Sequence, residues 1–323
     1  MAGGRERLVR RQLKIRIPTV QCSHRPGILH LGAQSVLVSV YLVFIKGGCN
    51  LWRHQFKFQL INFPVWSVLI KCPVLLDVRT DEDFSDDPRI LPASIRHPFT
   101  DVATLASRLK GCRVVVYCQK GLKISEGAAA VLRSHSINAE VLEHGHFGWR
   151  DAGQLMVNSQ LIPERNPEGQ SVWVTRLRPK IDRIACPWLI RRFIDCNAQF
   201  LFVTASEVTA VAEKFNAAPF DIEEVFWSHR GDNCTFDTLL HEFGLQADAL
   251  DRLATIVRGA DTNKPELAPQ CYGLLAASLG LSRMYSDDLE QLEAGMLLYD
   301  ALYRWSRDAV NEKHDWPAAV GIS

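Results

Sequence analysis

Residues 114–129 read VVVYCQKGLKISEGAA, and this stretch decides the fold. Val114, Val115, Val116 and Tyr117 form a β-branched, aromatic-ended run that predicts a buried strand. Ser125 to His135 then reads as a helix that turns Ala128, Val131 and Leu132 inward. Between them lies a loop, Cys118 to Lys123, with Gln119, Lys120, Gly121 and Leu122 inside it. A cysteine placed at a strand end, ahead of a helix N-terminus, meets unpaired backbone N–H groups and the positive end of a helix dipole. Both stabilise a thiolate and hold an anion beside it. Lys120 and Lys123 add positive charge, and Gly121 lets the loop curl. The plain alternative is a buried strand-end thiol with two solvated lysines, which cysteine alone would favour. The combination of loop and context favours a reactive Cys118.

Outward from this unit the punctuation is regular. Val74-Leu75-Leu76 predicts a short strand that leads into Asp77-Val78-Arg79, Thr100 to Leu109 predicts a helix, and Ala139 to Leu142 predicts another strand. Strands alternating with helices imply a parallel sheet with its site at the strand C-termini.

Three segments here resemble the rhodanese family: DVRTDEDF at 77–84, VVVYCQKGLKISEGAA at 114–129 and VLEHGHFGWRDAG at 141–153. The last is similar to the family's closing Gly-Gly-x-x-x-Trp pattern, with Gly145 kept and His146 in place of the second glycine. The resemblance implies that Cys118 attacks a sulfane sulfur such as that of thiosulfate, becomes a persulfide, and passes the sulfur to a thiol or cyanide. It needs no cofactor for that transfer. It also implies that Asp77 and Arg79 hold the base of the loop, with Arg79 paired to Glu126 or Asp77. The departure is SDDPRILPASIRH at 85–97, where the family has a glycine-rich crossing. A cysteine phosphatase, the nearest rival, has a longer loop with Arg six positions beyond the cysteine; here that position is Ile124.

Residues 158–170 carry Pro163, Pro167 and Gly169 among polar residues and read as a linker. The expected organisation is an N-terminal extension at 1–66, a rhodanese-like domain at 67–156, a linker at 157–170 and a second domain at 171–316. The expected fold class is α/β, a parallel-sheet domain followed by a mainly helical α+β domain. In the second part, strands are expected at 172–175 and 200–203, and a helix after Pro187 with Ile184, Trp188, Leu189 and Phe193 on its core face. Further helices are expected at 235–243, 247–258, 271–281 and 287–307.

Two clusters in this part carry chemistry. WVTRLRPKIDRIACPWLIRRFID at 173–195 holds Arg176, Arg178 and Arg183 beside Asp182. Each arginine alone reads as solvated; as a group they would suit a tetrahedral oxyanion. WSHRGDNCTFDTLLHEFG at 227–244 places Asp237 and His241 four apart on one helical face, with His229 in the preceding loop. Two imidazoles and a carboxylate suit a divalent Fe, Mn or Zn ion, with Cys234 and Asp261 as further candidates. The plain reading is a helix pair between Asp237 and His241. These segments, with LATIVRGADT at 253–262, resemble the C-terminal domain of ChrB-type chromate-resistance proteins. That resemblance implies a role in chromate or oxyanion stress, as a sensor or regulator.

Composition bounds the rest. With Lys+Arg 37 and Asp+Glu 36, the net charge of +1 predicts no general attraction to nucleic acid or to an anionic membrane. Nine cysteines without a CxxC pair read as a reducing, cytoplasmic setting. The extension has a basic head followed by an apolar run from Ile28 to Ile45, broken by His30, Gln34 and serines. It fits a signal sequence, a marginal membrane anchor, or sequence upstream of the natural start. The two readings of the whole are a sulfurtransferase whose second domain binds a metal or oxyanion, and a chromate-responsive, DNA-binding regulator. The complete Cys118 loop favours the enzyme.

Overall fold

Val114 and Val116 point to one face of a sheet and Val115 and Tyr117 to the other, and all four are buried. That double burial marks a parallel sheet covered on both sides. The computed structural model describes residues 57–58 and 72–312, of which 57–58 are described by backbone alone. The first 56 residues, with the apolar run at 28–45, lie outside the described residues.

The sheet has five strands in the order β1-β6-β5-β2-β4, all parallel: β1 (Lys57–Phe58), β2 (Val74–Asp77), β4 (Ile95–Arg96), β5 (Arg113–Tyr117) and β6 (Asn138–Leu142). It therefore starts upstream of the boundary expected at 67. Helices α1 (Asp81–Asp86), α2 (Lys123–Ser134) and α3 (Gly145–Asp151) follow strands of this sheet, and α2 packs against β5 and β6. In α2 Ala128, Ala129 and Leu132 are buried, while Val131, expected inside, is 39% exposed. The helix expected at 100–109 is a 3₁₀ segment, Phe99–Leu105, followed by turns. Val102 and Leu105 stand three apart, the spacing that stacks residues on one edge of a 3₁₀ helix.

The second sheet is also parallel: β8 (Val172–Arg176) lies between β9 (Gln199–Val203) and β10 (Ala218–Pro219). The two larger sheets among the described residues of this α/β chain thus run parallel, and helices dominate the C-terminal half: α4 (Asp182–Leu189), α5 (Val208–Phe215), α6 (Thr235–Phe243), α7 (Asp248–Asp261), α8 (Gln270–Met284) and α9 (Asp288–Asp308). Val172 and Val174 pack toward α5, and Trp173 packs on the opposite face in the large core with Trp188, Phe220, Trp227, Phe236 and Phe243. Trp227 stacks on Phe243 at 4.9 Å. α4 begins at Asp182, five residues before Pro187, which sits inside it rather than in its first turn. The chain continues as a π-helical turn, Ile190–Ile194. A proline inside a helix removes one ladder bond and pushes on the preceding turn. The expected core face of Ile184, Trp188, Leu189 and Phe193 is buried.

The segment read as a linker is structured. β7 (Val157–Asn158) pairs antiparallel with β3 (Arg89–Ile90), and a 3₁₀ turn, Ser159–Leu161, follows. Ile90 and Val157 are buried in the core of the C-terminal half. The Ala93 N–H donates to the Phe193 carbonyl at 2.6 Å. Among the described residues no helix is long and apolar enough to cross a membrane.

Candidate functional site

β5 delivers Cys118 to the C-terminal edge of the first sheet, where the chain turns sharply before α2. Gly121 takes φ +67°, and a Cβ there would sit 2.5 Å from the Leu142 carbonyl oxygen and 2.7 Å from the Gly145 nitrogen. Gly145, at φ +56°, lies equally close: a Cβ on it would meet the Cys118 carbonyl oxygen at 2.2 Å. Both positions need glycine for conformation and for space. The start of α3 ties the loop down, with the His146 N–H donating to the Cys118 carbonyl at 2.9 Å and the Phe147 N–H to the Gln119 carbonyl at 3.0 Å. The loop is therefore wrapped, as its sequence predicts.

At its centre Cys118 is buried, 4% exposed. Ser125 Oγ lies 3.3 Å from Sγ and also donates to the Leu122 carbonyl at 3.0 Å, and the amides of Ser125, Leu122 and Lys120 favour the charged sulfur. Burial raises the thiol pKa, but the Ser125 hydroxyl and the three amides outweigh it, so the thiol stands below its ordinary value. Lys120 and Lys123 are exposed at the rim. Leu122, at the helix start, is 59% exposed. Ser125 is the contributor that sequence reading missed. Spacing makes it only the first residue of a helix; a serine opening a helix beside a strand-end cysteine is the signal for it.

Asp77 and Arg79 form a buried ion pair at 2.7 Å. Arg79 also donates to the Asp87 and Arg89 carbonyls at 2.8 and 2.9 Å. The pair thus holds the 87–89 segment, and of the two expected partners Arg79 takes Asp77. His146, fully buried, approaches the Arg89 carbonyl at 3.3 Å through Nε2. Burial and the Arg79 charge lower its pKa, so it stays neutral there. The departure at 85–97 is therefore clamped by Arg79 and His146 where the family has glycines.

In the second half the expected metal triad does not converge. Asp237 caps α6 through the Cys234 N–H at 2.9 Å and pairs with Arg258 at 2.6 Å. His241 is 79% exposed beside Glu242. Cys234 is buried, which pushes its thiol up and keeps it protonated. The helical Asp237 is consumed by its own cap, so only His229 of the three joins a cluster.

That cluster lies at the C-terminal edge of the second sheet. His229 Nε2 is 3.2 Å from Asp221, 3.4 Å from Asp261 and 3.5 Å from Asp182. Asp182 is fully buried at the start of α4 and accepts the Thr235 and Phe236 N–H groups at 2.7 and 3.0 Å. It follows Ile181, whose φ of +44° is rare for a β-branched residue. Asp221, itself at φ +52°, accepts the Thr235 hydroxyl at 2.9 Å. Burial and the neighbouring carboxylates raise Asp182 and Asp261, and the Asp221 hydrogen bond, with the other acids, pushes His229 up to about 9.

The arginines expected to hold an oxyanion are engaged elsewhere. Arg176 and Arg183 reach one oxygen of Asp221, at 3.5 and 3.3 Å. Arg178 turns away and donates to the Tyr285 carbonyl at 2.9 Å and to the Ser282 carbonyl, closing the end of α8. Arg191 and Arg192 pair with Glu293 and Asp300. Spacing in sequence put these guanidiniums together; the turn at Arg178 and local carboxylates separate them.

Both centres thus lie at the ends of parallel strands, the Cys118 loop at the first sheet and the His–Asp cluster at the second. Residues 173–306 match the family model described as the ChrB C-terminal domain. The Protein ChrB of Cupriavidus metallidurans is 37% identical over 147 residues, covering 44% of this chain and 43% of that protein. The match thus spans less than half of that relative's length. Among solved structures, a rhodanese-related protein from Thermoplasma volcanium has 21% identity and a TM-score of 0.28, covering 32% of this chain and 98% of its own. A rhodanese homolog from Thermus thermophilus has 23% identity and a TM-score of 0.23, covering 28% of this chain and 95% of its own.

Proposed function

We propose that the protein is a sulfurtransferase of the rhodanese type, joined to a domain of the kind tied to chromate or other oxyanion resistance. The Cys118 thiolate attacks the outer sulfur of a sulfane donor such as thiosulfate. The sulfur–sulfur bond of the donor breaks, sulfite leaves with the electron pair, and Cys118 carries a persulfide. A thiol or cyanide then attacks the outer sulfur, and the Cys118 thiolate is restored with no outside oxidant or reductant. The observation that carries this reading is the loop wrapped around Cys118 at the strand end, with the Ser125 hydroxyl 3.3 Å from Sγ and the thiol held below its ordinary value. Such donors hold negative charge on a sulfur both before attack and after transfer. Lys120 and Lys123 at the rim attract the anionic donor.

The test is transfer from thiosulfate to cyanide, read as thiocyanate, with mass spectrometry of the intact chain. The wild type gains one sulfur atom on Cys118 when thiosulfate is added alone, and Cys118→Ser loses both the adduct and turnover. Turnover retained by Cys118→Ser would refute the assignment.

A further inference from the structure

His229 Nε2 faces three carboxylates at 3.2–3.5 Å, although an imidazole N–H carries one proton and satisfies one acceptor. The nitrogen and one oxygen each from Asp182 and Asp221 all lie within 4.8 Å of one another, the span of donor atoms around a common centre. The donors come from separate places: the first turn of α4, the loop after β10, the loop before α6 and the last residue of α7.

A second feature points to the same edge. The Thr175 hydroxyl is fully buried with no hydrogen-bond partner among the described residues. Strand alternation puts it on the face of β8 that carries Trp173 and looks onto the core of α4 and α6. It stands one residue before Arg176, whose guanidinium reaches Asp221. An unsatisfied buried hydroxyl is costly, and this one stands near the end of β8, on the sheet edge where the cluster gathers.

We infer that Asp182, Asp221 and His229, with Asp261 3.4 Å from the imidazole, form a binding site for a divalent first-row metal cation. Three carboxylates and one imidazole, with no thiolate, suit Mn²⁺ or Fe²⁺ rather than a thiophilic metal. Cys186 donates its S–H to Asp182 at 3.4 Å and so acts as a support rather than a ligand. The carboxylates are held in advance. Asp182 is pinned by two amides of α6. Arg176 and Arg183 take one oxygen of Asp221, and His229 faces the other. Pre-set ligands of this kind fix both coordination and affinity.

The experiment is a titration of the full chain with Mn²⁺, following the paramagnetic resonance signal of the free ion. One Mn²⁺ is expected per chain. His229→Ala and Asp261→Asn, at side chains 40% and 20% exposed, each weaken binding by about tenfold or more. Cys118 alkylation at the wild-type rate in both variants reports that the fold holds. Absence of stoichiometric Mn²⁺ in the wild type, or affinity unchanged in both variants, would overturn the assignment. Sulfur transfer by Cys118 is measured without the ion, so the two readings fail separately.

Discussion

Two centres sit at the C-terminal edges of two parallel sheets, and they are built in opposite ways. The Cys118 cradle is made almost wholly by neighbours in sequence, from Cys118 to Ser125, with α3 as its clamp. The His229 cluster draws on residues from 182 to 261, and its supports come from α6 and β8. A local site is specified by one loop and keeps its geometry as long as that loop closes. A distributed site keeps its geometry only while several elements stay docked. Strand ends serve both, because backbone N–H groups and helix starts gather there.

The comparison is most severely strained by Gly121→Ala. A methyl group at φ +67° against the Leu142 carbonyl and the Gly145 nitrogen is expected to cost about 3 kcal/mol or more, read from the urea midpoint. It should silence Cys118 while leaving Mn²⁺ binding intact in the molecules that remain folded. Asp182→Asn is next. It removes one of the two oxygens that accept the Thr235 and Phe236 amides, at about 1–3 kcal/mol. Cys118 should alkylate as before; a slowed Cys118 would show that the two centres are not independent.

Ser125→Ala has a smaller and more local effect. Loss of its hydroxyl removes a hydrogen bond to a charged sulfur, slowing alkylation at neutral pH by about tenfold and moving the inflection of the rate profile to higher pH. In the unaltered chain the sign is the reverse. The folded Cys118 pKa is depressed, so native Cys118 should still react at a pH where cysteines of the unfolded chain have gone silent. The stabilisation linked to it is present above the unfolded thiol's pKa and fades as pH falls through the folded one. Lys120→Ala should do least. This exposed side chain is expected to leave stability within about 0.5 kcal/mol and to weaken thiosulfate capture in a salt-dependent manner.

The same contrast explains what could be read from sequence. The strands at 114–117 and 172–175, the helix at 235–243 and the curl at Gly121 follow from periodicity and turn chemistry, and each appears where expected. Cys118 was legible because its partners lie within seven residues. Asp237 and His241 satisfied helical spacing, yet Asp237 is taken by the α6 cap and Arg258, a fate that spacing does not reveal. Asp221 sits in an unremarkable PFDIEE stretch and acquires its partners only when β10 docks against β8. The arginine group at 176–183 was dispersed by the left-handed turn at Arg178, which no residue type there announces.

The β3–β7 ribbon has a practical corollary. Ile90 belongs to the first sheet's domain by sequence, yet it is buried with Val157 among side chains of α4 and α6. A protein divided near residue 156 would expose both isoleucine and valine to water and strip the Phe193 carbonyl of its donor, Ala93. Genetic dissection into halves should therefore yield two sticky fragments, whereas the intact polypeptide should melt in one calorimetric transition.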